Sequence, residues 1–330
     1  MILILSGPLD QHATHVGEKL QERGASFMYF DPARFPREAA ISLTYSPRGN
    51  YQRVLRIDNR DIDLSEVTCA WYRRPEKPSA HDDVVDRAVR EMVELECRMV
   101  VQDLWHSLNC EWLPGPPYLL QHAERKITQL KLASGLGFEV PPTLVTNNPD
   151  TLLEFYRQHN GQIVSKQTSN AFITTVGHSF IRYTELVTTR DICHASDVVY
   201  CPMSFQAYVP KRVELRITVV GRQVFAAEIH SQATNHTRYD WRRYDHGRTP
   251  HFPHTLPGEI EARCLGLCEL LGLRYGAIDM ILTPDGRYVF LEINPNGQYL
   301  WIEQEIGSPI SEAICDILMS ATAGRHSRTP

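Results

Sequence analysis

Hydrophobic positions along this chain switch between short strand-like runs and helical periods from one end to the other. Ile2 to Leu5 is a continuous apolar run closed by Gly7 and Pro8, which reads as a buried strand. Gln11 to Arg23 has helical periodicity, and Gly24 ends it. Ser26 to Phe30, Val54 to Ile57 and Val67 to Tyr72 read as further strands. Asp83 to Leu108 is expected to be one long amphipathic helix, with Val84, Val85, Ala88, Met92, Val93, Leu95 and Met99 as its apolar positions. A strand, helix, strand start of this kind predicts a small doubly wound domain.

LPGPP at 113–117 punctuates the chain. After it, His122 to Leu136 and Asp150 to His159 read as helices, the second capped by Asn148 or Asp150. Strands then dominate: Ile163 to Lys166, Ser179 to Val187, Met203 to Val209, Glu214 to Val220 and Gln223 to His230, with a hairpin turn at Gly221 and Arg222. Leu256 to Leu271 is a helix with Pro257 in its first turn. Tyr275 to Leu282 and Tyr288 to Ile293 form a hairpin across PDGR, and Pro309 to Met319 a last helix before a frayed AGRHSRTP. The mixed order predicts an α/β or α+β class.

Composition narrows the function. A chain of 330 residues suggests two or three domains. A content of 42% hydrophobic and 22% charged residues excludes a wholly disordered chain. The net charge of -5 argues against a protein whose main task is gripping nucleic-acid phosphates. No apolar run approaches the ~20 residues of a membrane helix, and no signal peptide is read at the start. The expectation is a cytoplasmic protein with no nucleic-acid or membrane partner. The eight cysteines form no CxxC pair and read as reduced thiols, with Cys264 and Cys268 on one buried helix face. Five histidines between His230 and His254 fit no zinc template and read as solvated loop residues.

Candidate chemistry begins with two carboxylates. Asp279 in YGAIDMIL and Glu292 in YVFLEINPNG sit on strands of one expected hairpin. Asn294, two residues after Glu292, shares its face. Three hard oxygen donors so placed suit Mg²⁺, which takes its remaining ligands from water and substrate phosphates. Lys166 ends a strand, and Lys126 follows HAER at a helix start; a nucleotide phosphate would partner either. In FQAYVPKRVELRITVVG, the backbone of Gln206 to Val209 could meet an adenine edge, Glu214 ribose hydroxyls, and Arg216 a transferred phosphoryl group. Taken singly, each feature has a plainer reading: capped strand ends, solvated lysines, or the wet side of an amphipathic strand.

Together these elements resemble the ATP-grasp superfamily. The matching positions are Lys126, Lys166, Gln206 to Val209, Glu214 with Arg216, then Asp279, Glu292 and Asn294, in order over residues 116–320. Where the family usually has a glycine-rich lid, this chain has QTSNAFITTVG. Finer motifs are WYRRP at 71–75, VPPTLVTNNP at 140–149, HSQ at 230–232, DWRRY at 240–244 and NPNGQYLWIE at 294–303. With them the chain is similar to the graspetide synthetases, the microviridin- and plesiocin-type ATP-grasp ligases.

The resemblance implies a pre-ATP-grasp domain over 1–115, a central subdomain with a phosphate lid at 167–178 over 116–205, and a metal-bearing subdomain over 206–330. It implies ATP and Mg²⁺ as cofactors, with Lys126, Lys166, Gln206, Ala207, Tyr208, Val209, Glu214 and Leu291 at the nucleotide, Asp279, Glu292 and Asn294 at the metal, and Arg216 with Lys166 in catalysis. The substrate it implies is a ribosomal precursor peptide, a leader plus an acidic core, macrocyclised through side-chain ω-esters or ω-amides. Arginines suit acidic cores because guanidinium forks grip carboxylates bidentately. Arg73, Arg74, Arg238, Arg242 and Arg243, with His230 and Trp241, are therefore the expected substrate residues, although RR and WRRY alone also read as a salt-bridged loop. A homodimer is allowed. The competing functions are an ATP-dependent glutamate ligase of the same superfamily and a non-catalytic nucleotide-binding scaffold.

Overall fold

The computed structural model describes residues 1–47, 49, 51–167, 173–175, 178–180, 182–233, 237–243 and 249–326. Every residue of the first strand, Ile2–Ser6, is buried, as befits an inner strand of a parallel sheet covered on both faces. It pairs in parallel with Phe27–Phe30 on one side and Cys69–Arg74 on the other, and Glu111–Leu113 extends that edge. The helix Gln11–Glu22 starts at Asp10, whose carboxylate accepts from the N–H groups of His12 and Ala13. A separate antiparallel sheet, Ala39–Tyr45, Tyr51–Ile57 and Arg60–Asp63, packs its apolar side into the same core. The pattern announced only the stretch from Val54 to Ile57 within it.

The long helix spans Arg87–Ser107 and is capped by Asp86, so it starts later than Asp83. Its buried face also differs from the expected one. Cys97, Val101, Leu104 and Trp105 are buried, whereas Ala88, Met92, Leu95 and Met99 are exposed, as is Val85 just before the helix. Only the second half of the helix lies over the sheet, so the apolar positions of the first half meet no core.

The helix expected over His122 to Leu136 is two helices, Pro117–Ala123 and Lys126–Gly135. The break places Lys126 on the first turn of the second. The middle sheet is antiparallel in the order Glu185–Leu186, Ile163–Lys166, Met203–Ala207, Thr143–Thr146. Helix Pro149–Gln158 packs beside it and is capped by Asn148. The single strand expected over Ser179 to Val187 is instead one arm of a short hairpin, Ile173–Thr175 with His178–Phe180, followed by Glu185–Leu186. Of the lid expected over 167–178, residues 168–172, 176 and 177 lie outside the described residues.

The C-terminal sheet has five antiparallel strands in the order His251–Pro253, Gln223–Ile229, Val213–Val220, Tyr275–Leu282, Tyr288–Asn294. Leu215, Ile217, Ile278, Met280 and Phe290 face helices Lys126–Gly135 and Gly258–Leu270, where Cys264 and Cys268 are buried. A helix missed in the sequence, Leu300–Ile306, follows the last strand. The terminal helix Ile310–His326 packs against both the first helix and the C-terminal sheet, through a core shared by Ile4, Val16, Val220, Tyr275 and Ile314. It runs past Met319, so Ala323 to His326 continue the helix; residues 327–330 lie outside the described set. Among the described residues, no helix is long and apolar enough to cross a membrane. None of the eight cysteines is in a disulfide.

Candidate active site

Strand register builds the site. Asp279 stands opposite Glu292 on one neighbour and opposite Arg216 on the other. Since alternate residues of these strands face the helices, Arg216, Asp279 and Glu292 form a row on the opposite face. Arg216 Nη1 donates to both Asp279 oxygens at 2.9 Å, and Nη2 donates to the Gln298 carbonyl at 3.0 Å. The Lys126 ammonium, arriving from its helix start, pairs with Glu292. Burial pushes the Asp279 carboxyl up against the pull of Arg216, while Glu292, although burial acts on it too, is held down by Lys126 with Lys166 and Arg242 behind it. Two carboxylates thus lie side by side, each satisfied by a cation. A β-carbon on Gly297 would stand 2.3 Å from that of Ala277 and 2.7 Å from Arg216 Nη2, so the loop after Asn294 can close over the row only with glycine there.

These groups line a cleft of about 860 Å³ whose walls also carry Lys166, Gln206 to Val209, Glu214 and Leu291. The residues assigned to nucleotide and metal therefore converge. Burial lowers the Lys166 amine to about 8, against the pull of Glu292. Two details differ from expectation. The N–H groups of Ala207 and Tyr208 already donate to the carbonyls of Pro142 and Gln162, so an adenine edge would use other backbone groups of that stretch. Glu214 Oε1 accepts from Lys211 Nζ at 2.8 Å and Ser231 Oγ at 2.7 Å, so a ribose would share this carboxylate. Lys211 carried no motif signal in the sequence, and its role became visible only through this contact.

The residues expected at the substrate divide. Arg74, Trp241 and Arg242 line the cleft. Arg242 is clamped to Asp240 through Nε at 2.9 Å and Nη2 at 2.6 Å. Among the described residues, the Arg74 guanidinium has no hydrogen-bond partner. Arg73 reaches the wall but is 2% exposed; it faces Asp10 at 3.3 Å and donates to the Asn296 carbonyl at 2.7 Å. It is not the free carboxylate fork that its sequence suggested. Arg243 pairs with Glu185 and lies over the Tyr183 ring, outside the cleft lining. Arg238 is exposed and also outside it. His230 pairs with Glu228 at 2.9 Å on the sheet's other side, where a half-buried His254 bonds Glu228 and Tyr288. Tyr244, the end of the WRRY motif, lies outside the described residues.

The donor chemistry fits a divalent cation. Asp279 and Glu292 are adjacent, and the Asn294 amide oxygen, which accepts from the Asn296 N–H at 3.0 Å, is on the same strand. Among the described residues no group of three or more His, Cys, Asp or Glu forms a metal cluster, so a soft or imidazole-rich metal site is absent from them.

Comparisons with known proteins agree with this picture. The family model of the MvdD pre-ATP grasp domain matches residues 1–116. The crystal structure of macrocyclase MdnC from Microcystis aeruginosa MRC, bound with precursor peptide MdnA, is 34% identical, covers 97% of this chain and 99% of its own, and superposes with a TM-score of 0.85. A RiPP-associated ATP-grasp ligase from Chryseobacterium gregarium, in complex with ADP and a leader and core peptide, is 31% identical over 97% of this chain and 96% of its own, with a TM-score of 0.88. N-acetylaspartylglutamate synthase A of Mus musculus is 24% identical over 255 residues, 74% of this chain; the chain spans 63% of that relative's length. A likeness of 31–34% that runs almost from end to end, around a cleft built from paired carboxylates and cations, leaves one conclusion: the chain belongs to the macrocyclase family of ATP-grasp ligases, and is itself an ATP-dependent ligase.

Proposed function

We propose that the chain macrocyclises a ribosomally made precursor peptide, joining Asp or Glu side chains to Ser or Thr hydroxyls, or to Lys amines, at the expense of ATP. One observation carries the reading: the row Arg216, Asp279, Glu292 and Lys126 shares its cleft with Arg74, a guanidinium left without a partner among the described residues. The first set suits phosphoryl transfer and the second a peptide carboxylate.

Mg²⁺ held by Asp279, Glu292 and Asn294 would neutralise charge on the phosphate oxygens. With Asp279 and Glu292 holding such an ion, Lys126 and Arg216, now paired with them, would be left to face phosphate. Lys166 adds a third cation at the same cleft wall. A substrate carboxylate attacks the terminal phosphorus of ATP, ADP leaves, and an acylphosphate forms on the peptide. A hydroxyl of the same peptide then attacks the acyl carbon, loses its proton, and expels phosphate. Both reacting groups are held on one chain, so a weak nucleophile suffices. Gln206 to Val209, Glu214 and Leu291 are assigned to the nucleotide, and Arg74, Trp241 and Arg242 to the peptide. The setting is cytoplasmic, where ATP is supplied.

The mouse relative favours a second reading, an amino-acid ligase. Enzyme, ATP, Mg²⁺ and precursor are incubated and the peptide is weighed. Loss of one water per ring with one ADP formed supports macrocyclisation. A gain of an amino acid's mass establishes the ligase reading instead.

A further inference from the structure

The chemistry proposed above releases a proton that none of the assigned residues takes up. When a peptide hydroxyl attacks the acylphosphate, its proton goes to a base within reach. Among the described residues, the cleft lining holds no histidine and no cysteine. The acceptor is therefore sought among its carboxylates. Five of them line the cleft: Glu124, Glu214, Asp240, Asp279 and Glu292. Four are committed to cations of the chain itself. Glu214 pairs with Lys211, Asp240 with Arg242, Asp279 with Arg216 and Glu292 with Lys126. The Glu124 carboxylate has no hydrogen bond and no ion pair among the described residues.

Its place follows from the break in the helix that the sequence pattern made continuous. Glu124 ends the helix Pro117–Ala123 as its C-cap, and Lys126 opens the next helix. Residues two apart in one unbroken helix do not share a face. The break lets both side chains reach the cleft, Lys126 at Glu292 and Glu124 near it. Arg74, assigned to the peptide carboxylate, lines the cleft from strand Cys69–Arg74. So does Tyr72 on the same strand, whose phenol is pushed up by burial and further by the Glu124 charge. Glu124 thus stands where the phosphoryl end and the peptide end of the cleft meet.

We propose that Glu124 is the general base of ring closure, taking the proton of the peptide hydroxyl as its oxygen attacks the acyl carbon. The assignment rests on the macrocyclase reading. The oxygen–carbon bond forms and the acyl carbon–oxygen bond to phosphate breaks. Phosphate departs with the bonding pair and then collects the proton from Glu124, which restores the carboxylate. Partial burial raises the Glu124 carboxyl, against the pull of Lys126 and Arg125 beside it. That shift suits the role, since a base works best as its pKa approaches the working pH.

Glu124→Gln keeps the shape of the side chain and removes the base. Enzyme, ATP, Mg²⁺ and precursor peptide are incubated with and without hydroxylamine, which captures an acylphosphate as a hydroxamate and needs no base to do so. The variant should close rings roughly 10²-fold more slowly, while hydroxamate capture, ADP affinity and thermal unfolding stay little changed. Glu124→Asp should recover part of the loss. In wild type, ring closure should fall on the acid side of a carboxyl titration that Glu124→Gln lacks. Near-normal ring closure in Glu124→Gln overturns the proposal alone. So does loss of hydroxamate capture together with ring closure, which would place Glu124 in phosphoryl transfer. A pH limb near 8 that persists in Glu124→Gln would hand the role to Lys166. A wild type that yields neither ring nor hydroxamate overturns the macrocyclase reading itself, and this assignment with it.

Discussion

Arg73 and Arg216 both reach the same cleft with carboxylates beside them, yet they sit in opposite kinds of network. Arg73 belongs to a knot whose charges are spent inside the protein. Asp10 caps the first helix and faces Arg73; His12, against Asp10, accepts through Nε2 from the N–H groups of Tyr299 at 3.2 Å and Leu300 at 3.3 Å. Arg73 holds the Asn296 carbonyl. The knot ties the N-terminal domain to the loop that follows Asn294. Arg216 and Lys126, by contrast, hold the carboxylates proposed for the metal ion, which would leave both cations to phosphate. The same residue types make a fastener where no ligand can exchange with them, and a site where one can.

The contrast can be broken at its functional end first. Glu292→Ala and Lys166→Ala should each lower turnover about 10²- to 10³-fold, with thermal unfolding little changed. Near-normal ADP production at saturating Mg²⁺ in either variant would remove these residues from the site.

The fastening end should fail in stability instead. Asp10→Ala strands a buried Arg73 and deletes a helix cap, for a loss of about 3–5 kcal/mol. Thermal unfolding reads it, and a change within a degree or two would mean that the knot is not holding the loop.

Neighbours on one strand sharpen the comparison further. Arg74→Ala should weaken binding of an acidic peptide by about 1.5–3 kcal/mol, leaving nucleotide affinity and unfolding temperature alone, whereas Arg73→Ala should lower the unfolding temperature. Calorimetry with ADP and with peptide separates the two.

The smallest effects are in pH. With the Lys166 amine lowered to about 8, the free enzyme loses that ammonium as pH rises through 8, so ADP affinity should fall several-fold above it. Its stability term runs the other way: the unfolded chain keeps that proton to higher pH, so stability from this group rises above 8. His12 is lowered by burial, against Asp10, and is therefore neutral in the fold; its stability term is present above about 6.5 and is lost as pH falls below it. A flat pH profile of ADP affinity for wild type, matching Lys166→Arg, would contradict the first of these.

Much of the site was legible because strand periodicity is a local property. Apolar residues alternating around Asp279 and Glu292 assign both acids to one face, and the hairpin turn between them sets them opposite each other. The strand ending in Lys166 and the Glu214–Arg216 pair are legible on the same ground. The choice among arginines was not. Arg73 and Arg74 are consecutive and both reach the cleft wall across a shift in strand register, and nothing local says which of them meets an internal carboxylate. His230 sits in a motif-like run and still ends on the far side of the sheet, since Glu228 beside it is the partner within reach.

By itself, then, the sequence determined most of the element types, the row of cations and carboxylates on the C-terminal sheet, and the mixed α/β class, all of which follow from spacings of two to four residues. Only the tertiary structure decided which charges are spent and which are available. Asp10 meets Arg73, Lys126 meets Glu292 and Ser231 meets Glu214 because distant elements pack together, and the apolar positions in the first half of helix Arg87–Ser107 stay exposed because its buried face begins at Cys97. Burial is a property of the whole assembly of elements, and a charge or a methyl group acquires its role only when that assembly removes it from water or leaves it there.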